Sequence, residues 1–267
     1  MSPESAVGLA VAVTYVGGPT ALIEVLGLRF LTDPALDAAP SEYTTPVYTL
    51  LKTESPAVGA EMLGTVDAVL LSHDHHFDNL DRSGREFLSK AGRVLTTRVG
   101  AERLGGNATG LAAWEHVDLD ALGGRRLRVT ATPARHGPAG GDRGPVIGFL
   151  ISDATRPESS SAPAVYVSGD TVWYDGLLAI ADHADVRVAF LFLGAARVKE
   201  VGPQHLTMTA AEAVTFAKMF GNAIIVPLHF SGWTHFSEGR DVIQRAFDDE
   251  GLGDRLRWPD PGRETTI

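Results

Sequence analysis

The chain has no cysteine, which excludes disulfides, thiolate metal ligands and a cysteine nucleophile together. Positive charge is scarce: 23 lysines and arginines stand against 33 aspartates and glutamates, a formal net charge of -10. A surface of that sign repels phosphate backbones, so nucleic acid is not the expected partner. No apolar run approaches the roughly 18 to 20 residues that a membrane span needs. The opening "MSPESAVGLAVAVTYVGG" has no Lys or Arg ahead of its apolar part, as a secretory signal would require. The expectation is a soluble, cytoplasmic protein. G-x-S-x-G, G-x-x-x-x-G-K-[ST], G-x-G-x-x-G and H-E-x-x-H are also absent, which removes support for serine-hydrolase and nucleotide-binding chemistry.

What is present reads as an ordinary globular chain. It has 267 residues, 44% apolar and 21% charged, enough to bury a sizeable core. It shows no repeat and no composition break, so residues 1–267 are taken as a single domain. Strands are expected over 9–16, 20–25 and 28–33 as an antiparallel meander, then over 66–72, 93–97, 125–134, 145–152, 164–170, 185–194 and 222–230. Helices are expected over 81–91, 98–104, from a Thr209–Glu212 capping box to about 219, and over 238–250. About ten strands and a few helices in this order suggest packed sheets with helices outside. Residues 34–62, with four prolines, read as a long irregular excursion whose Tyr43, Tyr48, Leu50 and Leu51 could wall a site. Residues 153–163 read as a polar hairpin connection.

The chemistry concentrates in "VDAVLLSHDHHFDNLD", residues 66–81. A buried strand leads into His73, Asp74, His75, His76, Asp78 and Asp81, all within nine positions. A strand end is a rigid platform, and imidazole with carboxylate suits zinc, iron or manganese. Three other strand ends carry a similar residue: His136 in "ATPARHGPAG", Asp170 in "VYVSGDT" and His229 in "IIVPLHFSGW". Taken singly, each would pass for a cap or a satisfied polar group; together with the cluster they form a ligand pool.

This order of a histidine cluster, then His, then Asp, then His resembles the metallo-β-lactamase fold hydrolases, and most of all their lactonase-like and phospholipase-like branch. The resemblance runs from "ALIEVLGLRFLTDP" through "LSHDHHFDNLD" and "TPARHGP" to "VSGDT" and "VPLHF". It implies an α+β protein, a four-layer αββα sandwich, with one or two ions at the sheet edge and Asp170 bridging or approaching both. Zinc comes first, with manganese or iron as alternatives. The motif departs from the family's H-x-H-x-D-H. One register takes His73 and His75, then needs an extra residue to reach Asp78; the other takes Asp74, His76 and Asp78. In both, Asn79 stands where the family has its last histidine. An amide is the weaker ligand for a transition metal, so the second ion position is the one in question.

The implied reaction is hydrolysis of a small-molecule lactone, ester, amide or phosphodiester. The metal lowers the pKa of a bound water to about 7 and polarises the oxygen under attack. Asp78 is the candidate for orienting that water and His235 for proton transfer or oxyanion stabilisation. The metal candidates are His73, His75, His76, Asp78, His136, Asp170 and His229. Trp233, Phe230 and Phe236 could line a pocket, and His205 could reach its mouth or serve the helix start. Arg135, Arg143, Arg197 and Lys199 could hold an anion or be ordinary surface charge. Two alternatives stay open: a non-catalytic, weakly metal-binding protein on the same scaffold, and a nuclease. Oligomeric state is not legible.

Overall fold

A computed structural model describes residues 9–140, 143–155 and 161–267. The extreme N-terminus and part of the expected 153–163 connection lie outside the described residues. The first sheet runs β15-β1-β2-β3-β6-β7-β8. Its strands are β1 (Val11–Gly17), β2 (Thr20–Val25), β3 (Leu28–Thr32), β6 (Ala68–Leu70), β7 (Val94–Thr97), β8 (Ala108–Leu111) and β15 (Glu264–Thr266). The second runs β14-β13-β12-β11-β10-β9. Here the strands are β9 (His116–Asp120), β10 (Arg126–Pro133), β11 (Ile147–Asp153), β12 (Pro163–Val167), β13 (Asp185–Phe192) and β14 (Ile224–Leu228). The helices are α1 (Arg82–Phe87), α2 (Arg98–Leu104), α3 (Ile180–His183), α4 (Ala210–Met219) and α5 (Arg240–Asp249).

Period-two alternation builds the layers. Ala21, Ile23 and Val25 of β2 and Val188, Phe190 and Phe192 of β13 point into one core between the sheets. Leu22 and Leu31 point the other way, toward Phe87 and Leu88. Ala189 and Leu191 meet Phe216 of α4 and Phe247 of α5. Three apolar interfaces therefore separate four layers, helix on sheet on sheet on helix, the expected αββα sandwich. No helix among the described residues is long and apolar enough to cross a membrane.

The expected meander is present as β1-β2-β3, antiparallel throughout. Residues 34–62 are not the irregular excursion expected. They contain a hairpin, β4 (Ser41–Thr44) paired with β5 (Thr49–Lys52). Each strand has four residues and buries alternate side chains, too short and too polar a pattern to read beside four prolines. The count of ten strands also falls short, because β8, β9 and β15 are short and partly exposed. β9 pairs with β10 through a charged face where Arg128 grips Asp118 at 2.8 Å. The helix expected over 81–91 is α1 followed by a 3-10 turn at Leu88–Lys90. Asp81 caps α1 through Gly84 N–H at 2.9 Å and forms a buried 3.0 Å ion pair with Lys52, so it anchors the hairpin and stays outside the metal cluster.

The topology positions the site. β12, β13 and β14 run parallel, and β10 shares their direction through antiparallel β11. The C-terminal ends of β10, β12 and β14 thus open on one edge of the second sheet. The end of β6 meets that edge where Ile147 N–H donates to the Ser72 carbonyl at 3.1 Å. Carboxyl ends of parallel strands gathered this way form a crevice.

Candidate metal centre

The stretch after β6 is held from beneath by Asp33, which follows β3. Its Oδ1 accepts Ser72 N–H at 2.6 Å, and its Oδ2 accepts the Ser72 hydroxyl at 2.5 Å and Asn79 Nδ2 at 2.8 Å. Burial pushes the Asp33 carboxyl up to about 7, against the pull of these donors. When it is ionised, the Ser72 proton belongs to Asp33. The hydroxyl oxygen, 2.9 Å from His73 Nδ1, can then only accept, and His73 keeps a bare Nε2. Asp33 and Ser72 were not among the expected site residues. The available signal was an acidic residue directly after β3, the strand that runs parallel beside β6.

His73 Nε2 lies 2.9 Å from His76 Nδ1, which lies 3.0 Å from His136 Nε2. His136 Nδ1 is 2.9 Å from the Leu206 carbonyl, an acceptor only, so its proton sits there and its Nε2 is bare as well. His76 can offer a proton to one of these neighbours but not to both. At least one bare nitrogen therefore stands about 3 Å from a neighbour that gives it no proton, an arrangement that a cation relieves. Two nitrogens on a tetrahedral zinc ion sit about 3.3 Å apart given bonds of about 2.0–2.1 Å. The donor set fits the ion. Burial, with His136 second, pushes His76 down to about 3, and burial holds His73 well below its ordinary value. Neutral rings with free lone pairs result.

A second group forms beside it. The ligand atoms of Asp78, His229 and His235 lie within 4.8 Å of one another, as do those of His73, His76 and His136. Asp78 Oδ2 is 3.0 Å from His235 Nε2 and 3.4 Å from His229 Nε2. His229 gives its Nδ1 proton to Asp170 Oδ1 at 2.8 Å, and its buried Nε2 has no hydrogen-bond partner among the described residues. The other oxygen of Asp170 is 3.5 Å from His136 Nε2, so this carboxylate stands between the two groups. Burial opposes charge at all three positions and loses. The His229 and His235 rings beside it hold Asp78 well below the usual carboxylate range, the charge of His229 lowers Asp170, and Asp170 with Asp78 pushes His229 up to about 10. His229 has a φ of 55°, a strained left-handed backbone for a non-glycine residue, and its N–H donates to the Gly18 carbonyl at 2.7 Å.

Neither sequence register survives whole: the structure takes His73 from one and His76 from the other. The extra residue closes a turn in which Leu80 N–H donates to the His76 carbonyl at 3.0 Å, and this turns His76 inward. His75 is not gathered with the ligands. It is exposed, and its Nε2 bonds the Arg143 carbonyl at 2.6 Å. Asp74 pairs through both oxygens with Arg103. His235 is gathered, though the expectation gave it proton transfer. Trp233, Phe230 and Phe236 do not wall the pocket. Trp233 packs with Tyr43 and Leu50, Phe230 meets Trp258 edge to face, and Phe236 meets the His229 ring edge to face. The wall is Tyr48, Leu50, Val198, Val201 and Leu206, with Arg143 as its cation. His205 serves the helix start, 3.1 Å from the capping Glu212. Arg135 lies over the Tyr174 ring.

Residues 28–230 match the family described as the beta-lactamase superfamily domain. A UPF0173 metal-dependent hydrolase of Carboxydothermus hydrogenoformans is 25% identical over 96% of this chain and 99% of its own length. An uncharacterized protein of Mycobacterium tuberculosis is 28% identical over 82% of this chain, which spans 58% of that relative. Among solved structures, isothiocyanate hydrolase from Delia radicum gut bacteria superposes with a TM-score of 0.77 at 22% identity, over 96% of this chain and 99% of that one.

Proposed function

This chain belongs to the beta-lactamase superfamily, and from that membership we propose that it is a metal-dependent hydrolase acting on a small molecule with a lactone, ester, amide or phosphodiester bond. The observation that carries the reading is the convergence of His73, His76 and His136 nitrogens with too few protons to satisfy one another. These three would hold the ion. Zinc is the first candidate for such a donor set, with manganese or iron next. When bound, the metal supplies an activated water and polarises the oxygen under attack.

The rest falls to the chain's own groups. The Leu206 carbonyl and the Asp33–Ser72 pair fix the His136 and His73 rings with their Nε2 atoms facing His76 Nδ1. Tyr48, Leu50, Val198, Val201 and Leu206 exclude bulk water and receive the apolar part of a substrate. Arg143 lines the same pocket, and its buried Nε has no hydrogen-bond acceptor among the described residues. It is placed to orient a substrate oxygen. The Arg143 backbone is fixed through its N–H on the His136 carbonyl at 2.8 Å and through its carbonyl, 2.6 Å from His75 Nε2.

The test is elemental analysis of protein purified without chelator, paired with a panel of lactones, esters, amides and phosphodiesters, for the parent and His136→Ala. Metal and turnover in the parent, with turnover and the ion held by the three histidines lost in the variant, are expected. A parent that takes up no zinc, iron or manganese on reconstitution overturns the reading.

A further inference from the structure

The motif's last position is occupied by Asn79, and the structure uses that side chain elsewhere. Its Nδ2 donates to Asp33 at 2.8 Å, and its buried Oδ1 has no partner among the described residues. Asn79 therefore belongs to the scaffold beneath His73 and not to the group around Asp78. Into that group comes a ring from another part of the chain. His235, in the loop between β14 and α5, brings its Nε2 to 3.0 Å from Asp78 Oδ2.

The loop carrying His235 is held rigidly. Thr53 N–H donates to the Gly232 carbonyl at 2.8 Å, Thr234 N–H to the Leu51 carbonyl at 3.1 Å, and Arg197 N–H to the His235 carbonyl at 2.8 Å. The first two bonds clamp it to β5 and the residue after it, and Tyr43 of β4 lies against Trp233 with ring centroids 5.4 Å apart. The hairpin thus sets the position of His235. The ring beside it is oriented by the arrangement that metal-ligating histidines use: Asp170 accepts the His229 Nδ1 proton and turns the buried Nε2, without a hydrogen-bond partner among the described residues, toward Asp78 Oδ2 at 3.4 Å.

We propose that Asp78, His229 and His235 hold a second metal ion, with His235 in place of the histidine that the motif lacks at Asn79. Two imidazole nitrogens and one carboxylate oxygen, with Asp170 between this position and the first, form a donor set for zinc or a similar divalent ion. This assignment rests on the proposed function, because it adds an ion to a site already taken to hold one. It also departs from a proton-transfer role for His235, which would alter a pH profile and leave metal content unchanged.

The experiment is zinc titration of chelator-stripped full chain against a chromophoric competitor, for the parent, His235→Ala and His235→Gln, with a thermal melt of each. The parent is expected to bind two equivalents in separable steps. Both variants should keep the first step at the parent affinity, which also reports an intact fold. They should weaken the second by more than about 100-fold, beyond what loss of a mere supporting contact costs. A parent that binds a single equivalent, or a His235 variant that binds the second within about tenfold of the parent, overturns the proposal and leaves the hydrolase reading standing. A parent that binds none overturns both.

Discussion

The two halves of the centre are built on different plans. The half around His73, His76 and His136 is all imidazole, and two of its rings have the proton position dictated from outside, by a Ser72 hydroxyl and by the Leu206 carbonyl. The half around Asp78, His229 and His235 contains a carboxylate, leans on a second one in Asp170, and leaves His229 Nε2 and His235 Nδ1 without hydrogen-bond partners among the described residues. One half is neutral and already oriented; the other is anionic and less fully bonded. A neutral, oriented set of rings competes weakly with protons and pays little to reorganise. The carboxylate half attracts a cation more strongly, but part of that charge is spent on His229, which Asp170 and Asp78 push up to about 10. The first position should therefore fill before the second and stay filled to lower pH.

The most damaging break in that contrast is His136→Ala. It removes a donor of the first group and the neighbour of Asp170, and metal titration should show the first step weakened by more than about 100-fold. Next comes Asp33→Asn. An amide nitrogen facing Ser72 would turn the hydroxyl around, so that it donates to His73 Nδ1 and drives the ring proton to Nε2. The expected loss is about 10- to 100-fold in the first step with the second unchanged, read from the same titration.

Asp33 also gives a pH dependence. Its carboxyl is raised from an ordinary 3.8 to about 7 in the folded chain, so folding takes up a proton between those values. This share opposes that of His73 and His76, which burial holds neutral and which favour the fold as pH rises, so it is read as a difference: relative to Asp33→Asn, the metal-free parent should lose stability from about pH 4 to about 7, by at most about 1.4 kcal/mol per pH unit. Urea midpoints of the two proteins across that range should show the divergence, and parallel curves would overturn it. The smallest effect belongs to His75→Ala. Losing its bond to the Arg143 carbonyl should cost about 1 kcal/mol in a urea melt and leave both titration steps in place. A lost step there would return His75 to the ligand set.

These contrasts also mark what the sequence could carry. Buried strands such as β6, β13 and β14 announced themselves as continuous apolar runs, and the capping box at Thr209 and Glu212 marked α4. The hairpin β4-β5 did not, because its stability comes from a buried Lys52–Asp81 pair and from Trp233, all distant in sequence. The ligand types were legible in the 73–78 cluster and at three strand ends. Which ring of the cluster turns inward was not, because that choice depends on a turn after His76 and on competing partners, Arg143 for His75 and Arg103 for Asp74. Asp33 escaped notice for the same reason: its role exists only once β3 lies beside β6.

His73 and His76 follow a strand of the first sheet, whereas His136 follows a strand of the second. An ion shared among them would tie the two sheets together across their common edge, closing a long loop of chain as a disulfide does in proteins that have one. A chain without cysteine would thereby gain a tether that comes and goes with metal supply instead of redox state. Chelation should then act on the whole fold as well as on the pocket: amide exchange should quicken along the inner strands of both sheets, far from any side chain that touches the ion.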